Sequence, residues 1–131
     1  MEHFKVLLVE DNLTFRHALA EILQSQFPDM VIAEAGNGVE AIEKIHAFDP
    51  ALVFMDIKLP GENGLEVTRK IKTQRPDIIV MILTSYDLPE YRDVALRNGA
   101  NHFIVKGSST FEEISSLIQS YAARHKTHYS A

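Results

Sequence analysis

Five polar residues follow directly on short apolar runs in this chain. Glu10 and Asp11 follow the run 4–9, Asp56 follows 51–55, Thr84 closes 78–83 and Lys106 follows 102–105. Gathered in one place, three carboxylates, a hydroxyl and an ammonium have a narrow chemistry. The carboxylates repel one another unless a cation neutralises them. Hard oxygen ligands, few in number and with room for water, suit Mg²⁺ (or Mn²⁺) held jointly with a phosphate. Asp56 is then expected as a carboxylate nucleophile toward phosphorus, giving an aspartyl phosphate. Lys106 would set a point charge against one phosphoryl oxygen and Thr84 would donate to another. Phosphoryl transfer asks a protein mainly for positioning and charge neutralisation, and this set offers both.

Each residue alone has a plainer explanation. An acidic pair before a helix caps it and complements its dipole. An aspartate after a strand is a loop residue, a threonine ending a strand follows β-propensity, and a lone lysine is usually solvated. Their shared position at the ends of apolar runs is what these explanations leave out.

That position depends on the elements between. Five apolar runs (4–9, 30–35, 51–55, 78–83 and 102–105) carry little polar alternation, as strands covered on both faces do. Helical spacing fills the gaps. Phe15, Leu19, Ile22 and Leu23 share a face after Asn12 as N-cap, and Val39, Ile42 and Ile45 do so after Gly38. Leu65, Thr68 and Ile71 form a weaker stripe. Tyr91, Val94 and Ala95 follow Asp87, with Pro89 in the first turn and Asn98-Gly99 as the stop. Phe111, Ile114, Leu117, Ile118 and Tyr121 make the last stripe, entered through a Thr110-x-x-Glu113 capping box. The pattern is (βα)5, an α/β fold whose parallel sheet is covered by helices on both sides. In such open sheets the site lies outside the carboxyl ends of the strands, where the five polar residues stand.

The 131 residues suffice for one domain, expected over 1–123, with a polar tail or linker start over 124–131 that frays. A net charge of −5 gives no general attraction for nucleic acid or anionic membrane. Cysteine is absent, which excludes disulfides, thiolate metal sites and thiol chemistry. No apolar run is long enough to span a bilayer, so a soluble cytoplasmic protein is expected. Of the six histidines, His17, His46 and His102 are expected on exposed faces and His125 and His128 in the tail, all solvated.

The stretches VLLVEDN (6–12), LVFMDIKLPGENGLE (52–66), ILTSY (82–86) and GANHFIVKGSS (99–109) resemble the receiver domains of bacterial two-component response regulators. The likeness runs from about Lys5 to Ile118 and is closest to LuxR/NarL-type receivers. It implies a flavodoxin-like doubly wound sheet of order 2-1-3-4-5. It implies Asp56 as phosphoacceptor, Asp11 as a direct Mg²⁺ ligand, Glu10 as a ligand through water, and the Lys58 backbone carbonyl as a further ligand. Thr84 and Lys106 match the family's hydroxyl and lysine. Phe103 matches the switch aromatic that turns inward when Thr84 moves toward the phosphoryl group, the alternative being an ordinary core aromatic. Pro60-Gly61 and Gly64 fit the loop after the acceptor strand. The implied donor is a sensor histidine kinase or phosphotransfer protein. The implied output is transcription control if an effector domain is attached. Phosphorylation would alter self-association or partner binding on the face of the fourth helix, fifth strand and fifth helix, with the first and fifth helices as the alternative dimer surface. The domain would be a self-phosphorylating switch rather than a turnover enzyme. Lys58 and Tyr86, two residues past Asp56 and Thr84, would slow its dephosphorylation. Gly107 departs from the proline that usually follows the lysine, which puts a cis bond there in doubt.

Rival readings use fewer of these residues. Gly36-x-Gly38-x-x-Ala41 after a strand, with Asp56 further on, fits a dinucleotide fingerprint, but leaves Glu10, Asp11, Thr84 and Lys106 without work. A flavodoxin relative would need its phosphate loop where two acids stand. A haloacid-dehalogenase-type phosphatase needs a second aspartate at position 58. A pseudo-receiver, folded alike but serving only as an interaction module, is the non-phosphorylated alternative.

Overall fold

The computed structural model describes residues 3–108 and 111–130, with 125–130 described by backbone alone. Five strands alternate with five helices: β1 (Lys5–Val9), α1 (Leu13–Gln26), β2 (Val31–Ala35), α2 (Gly38–Phe48), β3 (Leu52–Met55), α3 (Gly64–Gln74), β4 (Ile79–Thr84), α4 (Pro89–Arg97), β5 (His102–Val105) and α5 (Phe111–Ser130). The strands form one parallel sheet in the order β2-β1-β3-β4-β5. The expected doubly wound (βα)5 architecture and strand order are those observed.

The period-two alternation of strand side chains divides the core into two layers. Leu7, Val9, Val53, Met55, Val80 and Ile82 face α2, α3 and α4 through Ala41, Ile45, Leu65, Val67, Ile71 and Ala95. Val6, Leu8, Leu52, Phe54, Met81 and Leu83 face α1 and α5 through Leu19, Leu23, Ile114 and Ile118. Burial on both faces is why the strands read as unbroken apolar runs. Truncating Leu23, which is fully buried, to alanine costs about 2–5 kcal/mol in such a core.

Asparagine side chains start three helices. Asn12 accepts from the Phe15 amide at 3.0 Å, Asn37 from Glu40 at 2.9 Å and Asn63 from Leu65 at 2.7 Å. Each occupies an amide that the helix itself leaves unbonded. α4 has no side-chain cap. Leu88, not Asp87, stands at its N-cap position, and Pro89 opens its first turn.

Several positions differ from the sequence expectation. Ile22 is 46% exposed and Val39 68% exposed. Ile22 lies one residue, or 100° of helix, from the buried Leu23. Val39 sits in the first turn of α2, while Ala41 and Ile45 form that helix's buried face. The segment from Arg124, expected to fray, continues α5 as helix to Ser130. Thr110 of the expected capping box lies outside the described residues. No cis peptide bond occurs among the described residues; Gly107 makes the turn after Lys106 with φ 85°, a left-handed conformation open to glycine without strain.

Candidate functional site

The sheet order brings the acidic residues together. β1 and β3 are neighbours with Val9 paired to Met55, so the residues that follow, Glu10 and Asp56, emerge side by side. The ladder continues one step beyond the strands. The Glu10 amide donates to the Ala35 carbonyl and the Asp56 amide to the Val9 carbonyl, each at 3.0 Å. Both residues are nearly buried, at 5% and 8% exposure. Asp11 is exposed at the rim. Glu10, Asp11 and Asp56 each offer a carboxylate oxygen, and these lie within 4.8 Å of one another.

Backbone amides and one cation hold this cluster. Glu10 Oε2 accepts from the Asn12 amide at 3.0 Å, and Asp56 Oδ1 from the Ile57 amide at 2.8 Å. Lys106 Nζ lies 2.5 Å from Glu10 Oε1 and 3.6 Å from Asp56 Oδ2. It also lies 4.1 Å from the Phe15 ring centroid, a cation–π contact that Phe15 supplies from α1.

Thr84 ends β4 fully buried. Its Oγ1 accepts from the Tyr86 amide at 3.3 Å, and its carbonyl accepts from the Lys106 amide at 2.8 Å, which fixes β5 against it. Phe103 is half-buried against the α2–α4 layer and carries the Arg92 guanidinium 4.6 Å from its ring centroid.

Gly64 explains how α3 can start so close. A Cβ there would stand 1.9 Å from the Asp56 carbonyl oxygen, so any side chain would force the helix away from the end of β3. The Gly64 amide donates to the Ile57 carbonyl at 2.7 Å, and Lys58 bridges back to Asn63. Two residues past Asp56, Lys58 Nζ donates to the Tyr91 hydroxyl at 3.2 Å and lies 5.1 Å and 5.4 Å from the Tyr86 and Tyr91 ring centroids. The Tyr91 hydrogen bond and its electrostatic companion hold the Lys58 ammonium above its ordinary pKa.

The residues fit a small divalent cation. Three hard carboxylate donors converge from the ends of two adjacent strands, and Lys106 lies against two of them. Together with a hydroxyl and an ammonium, the set can neutralise an incoming phosphoryl group and offers a carboxylate to attack it.

Two features of the sequence take on other roles. The Gly36-x-Gly38 loop is lined by acids that would repel a pyrophosphate: Glu40 Oε1 accepts from the Gly36 amide at 2.9 Å, and a Cβ on Gly38 would meet Glu62 Oε2 at 2.7 Å. His102 is half-buried rather than exposed, because β5 carries it under α5, where its Nε2 lies 2.7 Å from the Tyr121 hydroxyl. His17 and His46 are exposed as expected. Sequence reasoning passed over Arg16, whose Nη1 donates to the Glu10 carbonyl at 2.7 Å and whose Nε donates to Glu34 at 2.8 Å. Its spacing four after the Asn12 cap was the available signal.

Residues 6–119 match the family model of the response regulator receiver domain. The oxygen regulatory protein NreC of Staphylococcus carnosus is 37% identical over 114 residues, which cover 86% of this chain and 52% of that protein. The chain thus spans about half the length of the curated relatives it matches. Among solved structures, a DNA-binding response regulator of the LuxR family from Staphylococcus aureus superposes with TM-score 0.82 at 28% identity, covering 91% of this chain and 98% of that one. The response regulator TrrA of Thermotoga maritima, in complex with Mg(2+)-BeF, superposes with TM-score 0.78 at 33% identity, covering 89% and 97%.

Proposed function

The chain belongs to the response regulator receiver domain family of two-component signalling, and on that footing we propose that Asp56 accepts the phosphoryl group. The observation that carries this is the convergence of Glu10, Asp11 and Asp56 within 4.8 Å, with Lys106 against two of them.

Glu10, Asp11, Asp56 and the Lys58 backbone carbonyl would hold Mg²⁺ or Mn²⁺. The bound cation supplies charge neutralisation for the phosphoryl oxygens. An Asp56 carboxylate oxygen forms the new O–P bond while the donor's P–N bond (phosphohistidine) or P–O bond (acetyl phosphate) breaks, and the leaving group departs with its electron pair. Lys106 exchanges its contact with the carboxylates for a phosphoryl oxygen, and the Thr84 hydroxyl, drawn from the Tyr86 amide, donates to another. The displacement of Thr84 opens space for the Phe103 ring and biases a two-state equilibrium of α4, β5 and α5.

The donor in this reading is a sensor histidine kinase or phosphotransfer protein. The output is homodimerisation or partner binding through the α4–β5–α5 face, or through α1 and α5, and transcription control where an effector domain is attached, as in a DNA-binding regulator. The domain itself does not touch nucleic acid. No helix among the described residues is long and apolar enough to cross a membrane; the cytoplasm is the proposed location. The proposed domain is 1–123, with 124–131 as a polar tail or the start of a linker. Lys58 and Tyr86 hinder water at the mouth and make autodephosphorylation slow, which makes the domain a switch rather than a turnover enzyme.

Incubation with acetyl phosphate and Mg²⁺, followed by intact mass measurement, tests the reading. A single phosphoryl gain that disappears with Asp56→Asn is expected. A gain that survives the substitution would overturn Asp56 as the acceptor, and no gain at all would leave the pseudo-receiver alternative.

A further inference from the structure

The acidic pair stands on a turn between β1 and α1, and one side chain ties that turn to the next strand. Arg16 lies in the second turn of α1, and helical side chains lean toward the helix N-terminus, so its guanidinium returns over the turn. Nη1 donates to the Glu10 carbonyl at 2.7 Å while Nε donates to Glu34 Oε1, on β2, at 2.8 Å. The side chain is only 14% exposed. His17 Nε2 stands 3.4 Å from the same Glu34 oxygen. Gly36 leaves the space this requires, since a Cβ there would stand 3.1 Å from Arg16 Nη1.

Glu10 is therefore gripped at three points. Its amide is held by Ala35, its carboxylate by Asn12 and Lys106, and its carbonyl by Arg16. A planar fork suits the last requirement, because its Nε and Nη1 donors stand at a fixed separation and serve a carbonyl and a carboxylate on different elements together. We propose that Arg16 is a positioning residue for the acidic pair, setting divalent-cation affinity by fixing the Glu10 backbone rather than by its charge. The inference rests on the cation site argued above.

The sign of the effect separates this role from plain electrostatics. Arg16 is a cation beside a cation site, so removing its charge alone would tighten Mn²⁺ binding. Removing a partner that orients a metal ligand typically weakens affinity about 10–100-fold. Mn²⁺ is titrated into the full chain without any phosphodonor, and free Mn²⁺ is read by electron paramagnetic resonance below the melting temperature of each variant. Arg16→Gln and Arg16→Lys are each expected to weaken binding about tenfold. Lysine keeps the charge and loses the fork, and it serves alone if the glutamine variant does not fold. Unchanged or tighter binding in Arg16→Gln, or full affinity in Arg16→Lys, overturns the proposal while the site stands. Absence of Mn²⁺ binding by the unsubstituted chain overturns the site, and the proposal with it.

Discussion

Lys106 and Glu10 meet at 2.5 Å although 96 positions separate them, and the contact closes the sheet end from β5 across to β1. Glu10 is 5% exposed, so its charge has little water to fall back on. Lys106→Met leaves that carboxylate beside Asp56 without its cation. The expected loss is about 1–3 kcal/mol, less than for a fully buried pair because Lys106 keeps some exposure. Urea unfolding with an unchanged m-value checks this. Millimolar Mg²⁺ should recover part of the loss, since it binds only the folded site.

The lifetime of the phosphoryl group should depend on the cluster at the mouth. Lys58, Tyr86 and Tyr91 hold one another through a hydrogen bond, two cation–π contacts and an edge-on ring pair with centroids 6.4 Å apart. Lys58→Ala and Tyr86→Ala are expected to speed phosphoryl loss by up to about tenfold, equivalent to ~1.4 kcal/mol of barrier. Tyr91→Phe, which keeps the ring and drops the hydroxyl, should have a smaller effect in the same direction. Decay of the phosphorylated mass after donor removal measures each.

Arg92 should weight the switch. Its guanidinium covers the Phe103 ring and also reaches Asp87 at 3.3 Å. An exposed cation–π contact is worth about 0.5–1 kcal/mol. Arg92→Ala should therefore move the Phe103 equilibrium about two- to fivefold away from the stacked position before any phosphorylation. Phe103 ring chemical shifts, or sedimentation of the unphosphorylated chain, report the change.

Burial holds the His102 imidazole below its ordinary pKa of 6.5. On acidification the unfolded chain then takes up the proton first. The stability contributed by neutral His102 is fully present above pH 6.5 and falls as pH drops through 6.5 toward the lower folded value. His102→Gln should flatten this part of the profile in denaturation measured from pH 7.5 to 5. Direct titration of His102 by NMR should give a midpoint below 6.5.

The site was legible where the physics is local. Parallel strands buried on both faces leave unbroken apolar runs, so Glu10, Asp56, Thr84 and Lys106 were found by reading the run ends. Helix faces were less legible at their edges. One residue of phase separates Leu23 from Ile22, and a single-turn offset exposes Val39. Arg16 and His102 were missed for another reason. Each is defined by a partner on a different element, Glu34 for one and Tyr121 for the other. Such pairings come from topology, which a run of residues does not carry. Gly64 is similar: its need for a missing Cβ is set by the Asp56 carbonyl eight positions earlier.

The strand order carries a consequence for where a signal can go. β3 is the middle strand, so Asp56 divides the sheet into halves. On the β1–β2 half, Glu10 is pinned by Ala35, Asn12 and Arg16, and the Arg16–Glu34 pair stitches the two strands. On the β4–β5 half, the Thr84 hydroxyl oxygen accepts from the Tyr86 amide at a longer 3.3 Å, and Phe103 is covered by an arginine open to solvent. One side is an anvil and the other a lever. A charge added at the midline meets resistance in one direction and yields in the other, so the domain is polarised before any partner arrives.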